Sequence, residues 1–207
     1  LEVPLCGPDE QERLVPVRLS GQAGGFCDNY RTAVILLAKK PPASRSERTL
    51  AEAFRYILRG AVNQAALAAL HAAGSGERQI LLCYADGLST GGLKVRLKPL
   101  EAEAARAWLT AVAADMLQGP HAYLLPCEAA YREYHSRMDD PEASINGDKL
   151  CALIKEMAED EWSSFSSLWG PVPSPRLYEP PPAGEAVRMV TRRFGPLFGA
   201  IIDLEVV

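Results

Sequence analysis

The sequence predicts an α/β (α+β) chain in which a small mixed sheet is flanked by helices and followed by a helical C-terminal extension. Three observations predict it. Short apolar segments alternate with, or stand free of, polar residues, while longer segments repeat their apolar residues at three- and four-residue steps. Their order along the chain is strand–strand–helix–strand–strand–helix, then helices. Such an order suits a mixed sheet with a crossover helix.

Residues 1–13 are polar and marked by Pro and Gly, a lead-in segment. "LVPVRLSGQAGGF" (14–26) places Val15, Val17 and Leu19 on one side and Pro16, Arg18 and Ser20 on the other, a half-buried strand loosened by glycines. "CDNY" (27–30) supplies turn chemistry, because Asp and Asn tolerate left-handed backbone. "RTAVILLA" (31–38) reads as a strand buried on both faces. "KKPPASRSE" then interrupts the pattern.

The strongest helix runs from Glu47 to Ala73, with Leu50, Phe54, Ile57, Leu58, Ala61, Ala65 and Ala68 on one stripe, N-terminal signals at Ser46 and Thr49, and a stop at Gly74. "QILLCYA" (79–85) and "LKVRL" (93–97) are strands joined by the turn-rich "DGLSTGG". A second long helix covers Leu100–Gln118. Helical segments follow at Cys127–Met138, from Asp148 to about Gly170, and at Glu185–Phe198, the last after the Pro-rich stretch 170–184. The organisation is therefore a sheet-and-helix core over 14–125 and a helical extension over 126–207.

With 207 residues, 48% of them hydrophobic, the chain is long enough for a substantial core. Lys+Arg total 22 against Asp+Glu 26, so any nucleic-acid surface has to be a local patch, because the overall field repels phosphate. The five cysteines are scattered, without CxxC or Cys/His clustering, and with three histidines a zinc site is not expected. Reduced, mostly buried thiols and a cytoplasmic location are the expectation. No segment has the length and apolarity of a membrane span, so no membrane association is expected. The start "LEVPLCGPDEQ" lacks Met, and the chain reads as a piece of a longer polypeptide. "GSGER" (74–78) lacks the Lys-Ser/Thr of a phosphate loop and precedes a strand.

The hairpin of residues 24–41 has the form used by metal-dependent nucleases of the PD-(D/E)xK type. In that chemistry an acidic residue on one strand and a (D/E)xK triplet on the next hold Mg²⁺, and the lysine orients or activates the attacking water. On this chain the first carboxylate position is Gly24, the second is Leu37, and the lysine is Lys39. Neither Gly24 nor Leu37 offers the oxygen ligands that a hard cation requires. The expectation is a degenerate nuclease-like hairpin with no catalytic residue and no metal. A displaced site using Asp28 or Asp86 with Lys39 or Lys40 is the alternative.

After this hairpin, "LAEAFRYILRGAVNQAALAALHAAGSGE", "ILLCYADG", "LKPLEAEAARAWLTAVAADMLQG", "HAYLLPCEAAYREY", "MDDPEASINGDKLCALIKEM", "DEWSSFSSLWG" and "RRFGPLFGAI" follow in an order that resembles the C-terminal part of RecC, the gamma chain of exodeoxyribonuclease V. The likeness covers residues 14–200. It implies a catalytically inactive domain of nuclease-like fold that docks RecB-like and RecD-like subunits and guides DNA strands. Mg²⁺ and ATP would be used by those partner subunits. An unrelated protein-interaction module is a further alternative.

The remaining candidates carry bland readings beside sharp ones. Lys39 and Lys40 are read as a solvated strand end, with phosphate contact as the sharper reading. Arg48, Arg55 and Arg59 share one helical face, read as an ordinary wet face, with a DNA-facing strip as the alternative. Trp162, Phe165 and Trp169 recur at helical spacing, a core stripe by default and a partner-binding surface otherwise. Asp139 and Asp140, before Pro141, are read as a helix end and turn. His71, His121 and His135 have no metal-ligand spacing.

Overall fold

The computed structural model describes residues 1–6, 10–20, 25–41, 47–72, 76–118, 125–136, 144–159 and 180–207. Its centre is a five-stranded mixed sheet flanked, among the described residues, by five helices. The strands are β3 (Phe26–Cys27), β4 (Thr32–Leu37), β5 (Arg78–Ala85), β6 (Thr90–Leu97) and β7 (Ile201–Val206), in that spatial order. The helices are α1 (Glu47–Ala69), α2 (Ala102–Gln118), α3 (Cys127–His135), α4 (Gly147–Glu159) and α5 (Ala183–Ala200). A separate two-stranded ribbon pairs β1 (Glu2–Cys6) with β2 (Glu12–Pro16).

The β3–β4 pair is antiparallel, and its turn places Asp28, Asn29 and Tyr30 at φ of 53°, 52° and 63°. Left-handed backbone at Asp and Asn is what their turn chemistry suggests, and the Arg31 N–H closes the turn on the Asp28 carbonyl at 3.0 Å. From β4 the chain crosses through α1 to β5, which runs parallel to β4 with Leu37 opposite Tyr84. The β5–β6 and β6–β7 pairs are antiparallel.

Helix α1 lies on the sheet because its stripe fits there. Phe54 and Ile57 are fully buried with Ile80, Leu82, Leu93 and Val95. Gly60 faces Ile80 so closely that a Cβ would meet its Cγ2 at 2.8 Å. Buried Gln64 fastens the helix to the sheet, donating from Nε2 to the carbonyls of Arg31 (2.9 Å) and Gln79 (2.6 Å). One hydrophobic cluster joins these residues to Tyr131 of α3, Leu150 and Ile154 of α4, and Phe194 and Phe198 of α5. Phe54 links the parts, with its ring centroid 4.9 Å from Tyr131 and 5.3 Å from Phe198.

Several expectations are corrected. The strand expected over 14–26 is instead β2 at Glu12–Pro16, exposed along its length. The lead-in 1–13 holds its partner β1, and only Phe26–Cys27 joins the main sheet. β4 is not buried on both faces, since Leu36 is 79% exposed. Residues 201–206 extend directly from α5 as strand β7, where no strand was expected. None of the five cysteines is buried: Cys6 and Cys27 are exposed and Cys83, Cys127 and Cys151 are intermediate, all of them free thiols. Among the described residues no helix is long and apolar enough to cross a membrane.

Candidate functional site

Lys39 follows the C-terminal end of β4, where the parallel β4–β5 pair also presents Tyr84 and where the first half of α1 passes. Crossover connections leave the strand ends of a parallel pair open, which makes this edge the natural place for a site. The Lys39 N–H donates to the Leu37 carbonyl at 2.8 Å, turning the chain off the strand. Its Nζ lies 5.8 Å from the centroid of the Tyr56 ring on α1. The Arg55 guanidinium carbon is 4.7 Å from the same ring, and Arg55 Nη2 donates to Tyr56 Oη at 2.9 Å. Two cations thus converge on one aromatic ring, an arrangement that stabilises both charges against the ring face.

Buried Tyr84 and half-buried Cys127 both lie within the field of Arg55. Burial pushes the Tyr84 phenol up to about 12, with Tyr56 and Glu52 reinforcing and Arg55 opposing. Cys127 begins α3 and its thiol donates to Glu128 Oε2 at 3.3 Å. Burial, then the Glu128 charge, holds that thiol well above its ordinary range, while Arg55 pulls the other way. At neutral pH the phenol and the thiol are therefore protonated, so neither is an activated nucleophile. What the cluster offers is positive charge beside aromatic surface.

The expected site residues fare differently. Leu37, at the second carboxylate position, is a 9% exposed apolar side chain of the core. Lys40 is exposed beside Lys39, and Arg59 is exposed on α1. Arg55 departs from the wet-face reading: it is half-buried against Tyr56, and its Nε and Nη1 are buried without a hydrogen-bond partner among the described residues. Arg48 lies in the first turn of α1, and its side chain is outside the described residues. Gly24, His121, Asp139, Asp140, Trp162, Phe165 and Trp169 also lie outside them.

The displaced-carboxylate alternative meets a geometric obstacle. Asp28 precedes β4 and Lys39 follows it, so the strand's six residues separate them by roughly 20 Å. Asp28 is instead paired with Arg31 at 2.7 Å. Asp86 does share the Lys39 end of the sheet, but its Oδ1 accepts from the Leu88 N–H, the Ser89 N–H and the Ser89 hydroxyl. Those bonds hold its carboxyl below the usual range. Among the described residues no group of three or more His, Cys, Asp or Glu is placed to hold a metal. His71 sits at the end of α1 and His135 packs against Tyr131, at 5.7 Å between centroids.

Tyr56, Tyr84 and the Cys127–Glu128 pair were missed in the sequence. Tyr56 carried a signal, since it lies four residues beyond Glu52 and next to Arg55, a polar-aromatic stretch on the edge of the apolar stripe. The pairing with Lys39 depends on the crossover and has no local signature. Compared with known protein families, curated proteins and solved structures, the chain matches none of them.

Proposed function

We propose that this chain is the non-catalytic, nuclease-like C-terminal domain of a RecC-like subunit of exodeoxyribonuclease V. In this reading it docks RecB-like and RecD-like subunits and guides DNA strands during double-strand break repair and recombination in the cytoplasm. The partner subunits would use Mg²⁺ and ATP, and this domain neither. One observation carries the proposal: Lys39 stands at the open end of the β4–β5 pair beside Arg55 and Tyr56, while Leu37, two residues earlier, where the nuclease motif would have a carboxylate, is buried. Cations beside an aromatic ring suit a phosphodiester and its flanking base.

The test is a cleavage assay on single- and double-stranded DNA with Mg²⁺ or Mn²⁺, run beside calorimetric metal titration and a salt series of single-strand binding. The expected result is no cleavage and no metal heat. Lys39→Ala should weaken binding of all sequences alike and reduce the salt slope by about one. Metal-dependent cleavage that disappears in Lys39→Ala would replace this reading with a working nuclease. Asp86, at the same sheet end, is the observation that favours that second reading.

A further inference from the structure

The main sheet ends differently on its two sides. Strand β3 closes one edge with two residues, whereas β7 forms the other edge with six. A very short edge strand offers little to another chain, and a longer one presents a row of backbone groups. On β7 that row can be assigned. Gly92 and Val207 exchange both backbone hydrogen bonds, at 2.7 and 3.0 Å. Bonded and non-bonded pairs alternate along an antiparallel ladder, so Glu205 opposite Lys94 and Asp203 opposite Arg96 also bond inward. The N–H and C=O groups of Leu204 and Val206 therefore point outward, and no strand among the described residues pairs with them.

The side chains of β7 define what fits beside it. Leu204 and Val206 pack against the core from one face of the sheet, and Asp203 and Glu205 stand on the other. On the inner side β6 matches this pattern with Leu93, Lys94, Val95, Arg96 and Leu97, an alternation of apolar and basic residues. Leu93 and Val95 lie opposite Val206 and Leu204, while Arg96 forks onto Asp203 at 3.0 and 2.6 Å. Side-chain rows run across a sheet from strand to strand, so a strand added outside β7 meets the same two rows. Glu205 is exposed and acts on Arg96 only through its field, which leaves its carboxylate open to an incoming cation. A second copy of β7 does not suit this edge. Paired antiparallel about Leu204, it sets Asp203 against Glu205, and like charges directly opposite are destabilising.

We propose that the outer edge of β7 is a docking site for an extended segment of a partner protein in which apolar residues alternate with Lys or Arg. Backbone bonds to Leu204 and Val206 hold the segment, and Glu205 with Asp203 selects its charge. The proposal rests on β7 alone and is independent of the nuclease-like reading. The experiment is fluorescence anisotropy of the full chain with a fluorescein-labelled peptide GLKVRLK, a copy of residues 92–98, and with GLEVELE as the acidic control. Saturable binding of the basic peptide and none of the acidic one is the expected result. Leu204→Pro removes an outward donor and spares the bonds to β6, as proline does on edge strands, and should abolish binding. Glu205→Lys should weaken the basic peptide about fivefold and bring the acidic one into measurable range. If Leu204→Pro fails to fold, Glu205→Lys decides by this exchange of preference. No binding of the basic peptide at about 1 mM would overturn the proposal. Equal binding of both peptides, or binding unchanged in both variants, would do the same. A chain that dimerises by itself in sedimentation, and ceases to in Leu204→Pro, would also overturn it by giving the edge to a second copy.

Discussion

His71 ends helix α1 in backbone that its side chain disfavours. Its φ is 55°, and the Ala72 N–H reaches back to the Leu67 carbonyl while the His71 N–H reaches Ala68, the paired bonds of a Schellman cap. Left-handed backbone costs a non-glycine residue about 1–2 kcal/mol, and exposed His71 recovers little of that by burial. His71→Gly should therefore raise stability by about 1 kcal/mol in urea denaturation; an unchanged or lower midpoint would mean that the imidazole contributes contacts of its own. Tyr84 makes a pH prediction. Its folded pKa of about 12 exceeds the unfolded value, so above about pH 10 the folded state binds more protons than the unfolded one. Stability contributed by the neutral phenol is present below pH 10 and is lost between about pH 10 and 12. Absorbance titration should show one late phenol, absent in Tyr84→Phe, and that variant should lose less stability across the same window. A titration without a late phenol would place Tyr84 in contact with water. At this scale legibility followed residue type. Asp28 and Asn29 announce their turn, but nothing local marks His71, three residues before the expected stop at Gly74. Arg78 was legible only by parity, as a charge in register with three inward-facing positions.

Helix α1 approaches β5 at a glycine, and that contact sets their spacing. A valine at position 60 would drive two methyl groups into buried Ile80, whose Cγ2, Cγ1 and Cδ1 all lie within about 3.2 Å of the Cβ position. Overpacking of this kind costs typically 1–3 kcal/mol, and a β-branched residue brings little helical gain over glycine. Gly60→Val is expected to lower stability by about 3 kcal/mol in denaturant unfolding. A loss below about 1 kcal/mol would show that the helix can shift away from the strand. Long periodic elements were the legible ones: α1, α2, β5 and β6 lie within a few residues of their expected ranges because their burial patterns are strong and local. β7 was missed because Ile201 follows Ala200 of α5 with no intervening loop, and Gly195, Pro196 and Gly199 lie inside the helix instead of marking its boundary. The N-terminal alternation was real but displaced. Its strand pairs with β1 and is exposed along its whole length, so the alternation marks no buried side.

The whole molecule is held by a core to which both ends of the chain contribute. α1 and the strands β4–β6 come from the first half, yet the residues that close the cluster, Tyr131, Leu150, Ile154, Leu197 and Phe198, come from the second. Strand β7 completes this by bringing Ile201, Leu204 and Val206 against the cluster from the far edge of the sheet. On its other face Asp203 accepts a fork from Arg96, Nε to Oδ1 at 3.0 Å and Nη2 to Oδ2 at 2.6 Å, so that a cross-strand ion pair fixes the register. Lys39 follows β4, three strands across the sheet from β7, and the two meet only at the sheet end, where Pro41 and the Val207 carbonyl both approach Gly91. Removing residues 201–207 should therefore act on stability first. Three partly buried aliphatic side chains contribute about 1 kcal/mol each, so the loss is expected near 3 kcal/mol. The bare edge of β6 would also be free to pair with another chain. A urea midpoint that falls together with a concentration-dependent rise in light scattering is the expected outcome. Single-strand affinity measured below the new midpoint should stay within about twofold, since Lys39, Arg55 and Tyr56 remain held by β4 and α1. An unchanged midpoint would show β7 to be an ornament of the sheet and would confine the core to the helices that precede it.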